Sequence, residues 1–527
     1  MITFDKQMNP GIFGGSKQKF NVDLIQRAQE KEHHIPGGYF PAVMERPYLE
    51  RDFDKYRKAY TWNPDPQRMQ FTKDAFNHIF MHQMRAETMS FESAIDAMEL
   101  SASPGFPWNQ KYKTKRDVLK PFSEGGQLEL VKEIVQQVLD RGEIDYQFNG
   151  ERYTEVFWLT SPKEEIRPIE KINHEDISKR KTRTFMCGDL ITHIIGFMLY
   201  KNQNDEMIKN NHADSWMAIG LNPFYGGWHN LSESLLRNQA KEFYCADASH
   251  MEASVNKCIQ TIVYDARNES LINRPAVSGY TDVELKRAAK WYLEQVSDSL
   301  IIGIDGKLCM KFGKNPSGQI NTLTDNTLAL ILVILYAVSE WVSEYIEIVI
   351  AYFEIALKAF GDDSIAEKHA LLRNLFQAAE DLGFKLELET VPGPLKDCTF
   401  LSSSFHYLKE RHKWIQKPNF EKLFSNIFYN FKKSSWRYAY VKLAAARKLV
   451  YAFPEQREQI DDYLSYVIHH HHGDLVNEEH IDCDLTFKAT VSQLMPNAQN
   501  DFLIFGDESV SELSETYAKV VGKFKQI

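Results

Sequence analysis

The stretch Leu357-Lys358-Ala359-Phe360-Gly361-Asp362-Asp363-Ser364-Ile365-Ala366 sets two neighbouring carboxylates between short apolar runs, with a glycine just before them. That pattern predicts a hairpin whose strands flank a turn carrying the acids. Gly and Asp are ordinary turn formers, so the stretch alone describes a plain solvent-facing turn equally well. A third acid shifts the balance: Asp247 follows Glu242-Phe243-Tyr244-Cys245-Ala246, which also reads as a strand. If both segments lie in one sheet, three carboxylates converge. Such a cluster is costly unless cations neutralise it. Oxygen-only ligands favour Mg²⁺ or Mn²⁺ over zinc. Two such ions about 3.5–4 Å apart are the usual apparatus of phosphoryl transfer.

A chain of 527 residues can bury a large core and splits into two or three subdomains. Its formal charge of -10 does not announce a nucleic-acid binder, but the sign of a lined channel matters more than the total. The cysteines (Cys187, Cys245, Cys258, Cys309, Cys398, Cys483) form no CxxC pair and read as reduced thiols of an intracellular protein. The first residues show no signal-peptide pattern. The most apolar run, Leu328 to Val338, is too short to span a bilayer and predicts a buried helix, so no transmembrane segment is expected.

Ser101-Ala102-Ser103-Pro104-Gly105-Phe106-Pro107-Trp108 is a rigid, turn-rich loop leading to Lys111, Lys113, Lys115 and Arg116. It reads either as a connector whose aromatics pack on the body or as a loop holding a polyanion backbone beside aromatic surface. From Phe157 to Lys171, and again from Lys179 to Phe185, basic residues alternate with β-formers. Glu164, Glu165, Glu170, Glu175 and Asp176 dilute the charge, so a salt-bridged solvated hairpin is one reading. In the other, Lys163, Arg167, Lys171, Lys181 and Arg183 line a tunnel and meet a triphosphate, the planar Arg fork suiting phosphate oxygens.

Five residues after Asp247 stands Glu252, across a strand-to-helix turn. That step can hold one acid near a metal and the other near a substrate hydroxyl; Glu252 reads equally as a helix-start acid favoured by the dipole. Gly313 to Asn326 is a loop running into a helix on which Thr322 and Asn326 share a face. Lys314 and Gly318 do not fit the GxxxxGK[ST] spacing, which excludes a P-loop. Thr and Asn opposite acids could read a ribose; the plainer account is a helix cap at Ser317 with routine polar contacts.

Periodicity predicts helices over 75–98, 128–139 (stopping at Gly142) and 367–382, a strand over 384–388, and a mainly helical module from about Tyr407. That module carries Trp414, Tyr429, Phe431, Lys432, Lys433, Trp436, Arg437, Arg447 and Lys448, a basic, aromatic-studded surface. Lys396 is either a proton donor near a reacting phosphate or a surface lysine. His469-His470-His471-His472 resembles a metal tract, but it is internal and precedes Gly473-Asp474, which suits an exposed loop.

In this order, the carboxylate strand, the Ser-Gly helix and the Gly-Asp-Asp turn resemble a viral RNA-dependent RNA polymerase of the positive-strand, picornavirus-like supergroup, with the astrovirus and potyvirus branches nearest. Asp247 matches the first aspartate of motif A. Ser317, Gly318, Thr322 and Asn326 match motif B, and Phe360 to Asp363 match motif C, usually Tyr-Gly-Asp-Asp. Lys163, Arg167, Lys171 and Arg183 fall in motif F, Ser103 to Pro107 resemble motif G at the template, and Phe400 to Phe405 occupy the primer-grip position of motif E. Lys396 is the candidate motif D lysine, with Lys385 its rival. Glu252 departs from the usual second aspartate of motif A, moving its charge by roughly 1.5 Å.

The resemblance implies an α/β (α+β) closed right hand whose palm is an antiparallel sheet backed by helices. Fingers would take residues 1–240 and 260–306, palm 241–259 and 307–406, thumb 407–527. It implies RNA synthesis from NTPs on an RNA template, with Asp247, Asp362 and Asp363 holding two Mg²⁺ ions, for which Mn²⁺ can substitute. A reverse transcriptase shares the acid geometry but expects a bulky side chain at the sugar, and a non-catalytic RNA-binding scaffold has no use for all three acids. Expected partners are RNA template and product duplex, NTPs, a protein primer and other viral replication proteins, at membrane-associated complexes in the host-cell cytoplasm. The family starts chains de novo or from a protein-linked nucleotide.

Overall fold

The computed structural model describes residues 2–7, 20–57, 62–210, 214–429 and 436–471. The predicted carboxylate strands meet in one sheet. Strands β1 (Glu242–Ala248), β2 (Leu357–Phe360), β3 (Asp363–Glu367) and β4 (Leu386–Pro392) lie in the order β2-β3-β1-β4, each neighbouring pair antiparallel. Because side chains alternate between faces, Ala248, Ala366 and Leu386 pack on helices while Phe243, Cys245, Ile365 and Val391 fill the opposite face. By the same parity Asp247, Asp363 and Glu387 fall at the end of that second face.

Helices α1 (Thr322–Val338) and α2 (Leu375–Asp381), with Pro66–Phe80, Lys257–Glu269 and Tyr345–Glu354, share one core with the sheet. Helix α1 is buried without a break from Thr327 to Val338, as an all-apolar helix must be in a globular protein. With the 3-10 turn through Trp341 it spans 20 residues, longer than the apolar run alone and apolar enough to cross a membrane, and 83% of its 18-residue apolar window lies inside the molecule, as expected of a buried helix.

A second core surrounds a five-stranded sheet in which Phe157–Pro162 pairs with Thr184–Cys187 on one side and Leu300–Ile302 on the other. The order continues through Lys307–Met310 to Ile2–Gln7. A boundary at 306/307 therefore falls within the hairpin Leu300–Ile302/Lys307–Met310. The third core joins Leu24 and Ala28 to Phe424, Phe428, Leu443, Ile460 and Tyr463 of the C-terminal helices Phe420–Tyr429, Trp436–Leu449 and Pro454–His470.

Three local expectations change. Residues 75–98 fall in two helices, Pro66–Phe80 and Phe91–Asp96, because Ala86–Glu87 between them leaves the helix to pair as a strand with Leu271–Ile272. The segment after β3 is a 3-10 turn and the shorter helix α2, and the following strand starts at Leu386. His469 and His470 end a helix rather than form a loop, and both are exposed. Phe431, Lys432, Lys433 and His472 lie outside the described residues, as does Cys483.

Candidate active site

Register decides which acids meet. Asp363 of β3 stands opposite Asp247 of β1, and on the other side of Asp247 stands Glu387 of β4. Phe360 pairs with Asp363, leaving Gly361-Asp362 as a two-residue turn. Gly361 takes φ +65°, a left-handed conformation that suits the first position of such a turn, and its N–H donates to Thr327 Oγ1 on α1 at 2.7 Å. The Ala248 N–H donates to the Asp362 carbonyl at 2.8 Å, which seats the turn against the end of β1.

These acids repel one another. Desolvation by the surrounding protein, then Asp362 and Glu387, push Asp247 up to about 6, with Arg183 opposing. Burial pushes Asp363 up to about 7, opposed by the Leu401 N–H, which donates to its Oδ2 at 2.5 Å, and reinforced by Asp362 and Asp247. Carboxylates raised this far have an unmet need for positive charge at neutral pH. Among the described residues no group of three or more His, Cys, Asp or Glu side chains is gathered tightly enough to hold a metal ion. The donor chemistry, oxygen-only and self-repelling, nonetheless fits a hard divalent cation. Glu387 was not anticipated; the alternation Leu386-Glu387-Leu388-Glu389 was its only signal.

Three of the predicted basic residues converge on one acid. Glu165 lies 3.2 Å from Arg167, 3.6 Å from Arg183 and 3.9 Å from Lys163. Lys163 and Arg183 are exposed, whereas Arg167 is buried, and burial with its neighbour Arg183 lowers its proton affinity. Lys181 Nζ sits 3.1 Å from His250 Nε2, three residues beyond Asp247. Lys171 is exposed on the short helix Ile169–Ile172 and is outside this network. The salt-bridged hairpin and the cation-lined surface are thus one object, facing the acids through Arg183.

On the Ser-Gly segment, Ser317 accepts from the Met186 N–H at 3.3 Å rather than capping the helix, whose N-cap is Asn321. Gly318 bridges Cys187, and a Cβ there would lie 2.0 Å from the Met186 carbonyl oxygen, so no side chain fits. Thr322 donates to the Gln319 and Pro316 carbonyls at 2.8 and 3.0 Å. Asn326 Oδ1 accepts from Asn315 Nδ2 at 2.9 Å, and the Asn315 N–H donates to the Glu252 carbonyl at 2.7 Å.

Of the turn-rich loop, Ser103 is exposed while Pro104, Gly105, Phe106 and Pro107 are buried. Phe106 packs edge-on against Tyr153 and Phe157, which matches the connector reading of its aromatics. Phe400 and Ser403 close a hairpin whose turn, Leu401-Ser402, supplies the N–H on Asp363. Lys396 is exposed on the turn Leu395–Asp397, past the Pro392 end of β4. Lys385 precedes the opposite end, where its carbonyl accepts from the Ser249 N–H at 3.0 Å.

The paired acids at the sheet end face the cation-bearing hairpin through Arg183, and the Ser-Gly loop lies against the strand that follows it. The chain belongs to the viral RNA-dependent RNA polymerase family, whose model matches residues 52–472. It is 27% identical over 402 residues to the genome polyprotein of Zucchini yellow mosaic virus (strain Singapore), covering 73% of this chain and 12% of that protein. It is 23% identical over 453 residues to the genome polyprotein of Peanut mottle virus (strain M), covering 83% and 13%. The chain thus spans about an eighth of the length of these relatives. Its fold matches the Sicinivirus 3Dpol RNA dependent RNA polymerase with a TM-score of 0.66 at 15% identity, covering 94% of this chain and 99% of that one. The α/β right-hand fold expected from the sequence is therefore the observed one. Of the two branches named above, these relatives carry the potyvirus one rather than the astrovirus one.

Proposed function

We propose that the chain synthesises RNA on an RNA template, transferring nucleotidyl groups from NTPs to an RNA 3′-hydroxyl with release of pyrophosphate. The observation that carries this reading is the register that sets Asp247 and Asp363 opposite each other with Asp362 in the adjoining turn. Asp247, Asp362 and Asp363 would hold two Mg²⁺ ions, or Mn²⁺ in their place. When bound, such ions lower the pKa of an attacking hydroxyl and offset triphosphate charge.

The protein's own groups do the rest. The Leu401 N–H fixes the orientation of Asp363. Arg183, Lys163 and Arg167 exchange Glu165 for phosphate oxygens, a charge-assisted contact that tightens as negative charge develops. Lys171 and Lys181 extend that positive surface. Glu252, Ser317, Thr322 and Asn326 border the sugar, Gly318 lets the loop lie against the Met186 strand, and Ser103 to Pro107 guide the template. Lys396 or Lys385 would protonate the leaving pyrophosphate. Palm, fingers and thumb follow the boundaries given above, with Lys307–Met310 assigned to the fingers sheet. RNA duplex, a protein-linked primer and other replication proteins at cytoplasmic membranes are the partners this reading brings.

Extension of a primed RNA template by the purified chain, with Mg²⁺ and either NTPs or dNTPs, tests it. NTP-dependent extension that disappears in Asp362→Asn while RNA binding persists is the expected result. Extension undiminished in that variant would overturn the assignment.

A further inference from the structure

Glu252 is held by residues nearly two hundred positions earlier in the chain. Its Oε1 accepts from the Lys55 ammonium and, at 3.2 Å, from the Tyr56 hydroxyl. Lys55 is buried and makes a second ion pair with Asp52 Oδ2 at 3.0 Å. The same Asp52 oxygen accepts from the Thr184 N–H at 2.7 Å and the Thr184 hydroxyl at 2.9 Å. Thr184 directly follows Arg183, so Asp52 and Lys55 tie the phosphate-facing strand to the turn that presents Glu252. Glu252 is only half-buried, and among the described residues its Oε2 has no hydrogen-bond partner, so that oxygen can accept from a ligand hydroxyl.

Asn326, the other expected sugar contact, is engaged by Asn315 rather than by the Glu252 carboxylate. The longer glutamate therefore has its own anchor. We infer that Lys55 and Tyr56 are positioning residues for sugar selection, holding Glu252 so that its free oxygen meets the 2′-hydroxyl of an incoming ribonucleotide. This rests on the polymerase reading above. A shorter aspartate at position 252 would withdraw its charge from Lys55, and a neutral residue at 55 would leave Glu252 free to swing. With Lys55 buried, the pair is less screened by salt than an exposed one.

Single-nucleotide incorporation on a primed RNA template, with CTP and with dCTP, gives kcat and KM for each in the full chain and its variants. A site built to bond a hydroxyl discriminates strongly against the analogue lacking it, and loosening the acceptor should cost about tenfold of the CTP/dCTP ratio in Lys55→Met. Lys55→Arg should recover most of that ratio, and Tyr56→Phe should lower it by about threefold. Equal losses for CTP and dCTP, with the ratio unchanged, would overturn the inference. If Lys55→Met shows no melting transition, Tyr56→Phe decides alone: an unaltered ratio overturns and a lowered one supports. Absence of incorporation by the unaltered chain would overturn the polymerase reading and this inference with it.

Discussion

Two aspartates, Asp325 and Asp363, show opposite solutions to the same charge. Asp325 is buried, and its two oxygens accept from Arg267 at 2.9 Å, Tyr264 at 2.8 Å and Gln319 at 2.9 Å. Arg267, fully buried, spends its remaining donors on Gln203, Asn204 and Thr324. Asp363 instead has, among the described residues, one donor, the Leu401 N–H, and faces Asp247 across the ladder. A satisfied buried acid secures the fold, here the first turn of α1. An acid left among its own kind is a cost the fold bears for a ligand.

The largest effect should come from breaking the satisfied cluster. Asp325→Ala strands the Arg267 guanidinium and should cost roughly 3–5 kcal/mol, seen as a collapse of the melting temperature together with loss of activity. Asp247→Asn should behave in the opposite way. Extension should fall by about 10³-fold or more while the melting temperature in metal-free buffer holds or rises, because one repelling charge is gone. A lowered melting temperature there would contradict the contrast.

Gly318→Ala comes next. Its methyl group would meet the Met186 carbonyl, so the loop must move, with an expected loss of about 1–3 kcal/mol read by chemical denaturation.

The pH dependence sharpens the comparison. Asp247 and Asp363 bind protons more tightly folded than unfolded, so their contribution to stability is full below about pH 4 and is lost as pH rises through about 6 and 7. Metal-free protein should therefore lose melting temperature between pH 5 and 8, and added Mg²⁺ should recover it at pH 8 but not at pH 5. A flat profile would mean that neither burial nor mutual repulsion acts on these acids. A last test separates two lysines: whichever of Lys396→Ala and Lys385→Ala slows nucleotidyl transfer, by about tenfold, marks the proton donor.

The part of the site carried by local patterning was legible in advance. A glycine before two acids between apolar runs reads as a hairpin tip, and Glu242–Ala246 reads as the strand that leads to Asp247. What stayed hidden depends on pairings that no local pattern encodes. Glu387 enters only because β4 adds to the far side of β1, and Lys55 meets Glu252 only because the segment Asp52–Tyr56 folds against the turn that follows β1. The Thr327 hydroxyl likewise meets the Gly361 N–H through a tertiary contact that no local pattern encodes. The helix expected over 75–98 failed because two apolar periodicities ran together across a bend.

Residues 20–41 reach across to both sides of the molecule. Tyr39–Pro41 pairs with Ile166–Pro168, while Asn21, Pro36 and His34 bond to Phe428, Tyr429 and Gln459, and Arg27 grips Asp462 with two nitrogens. One segment thus joins the Ile166–Pro168 strand to the C-terminal helices, so these two parts cannot separate without giving up a strand pairing and an ion pair.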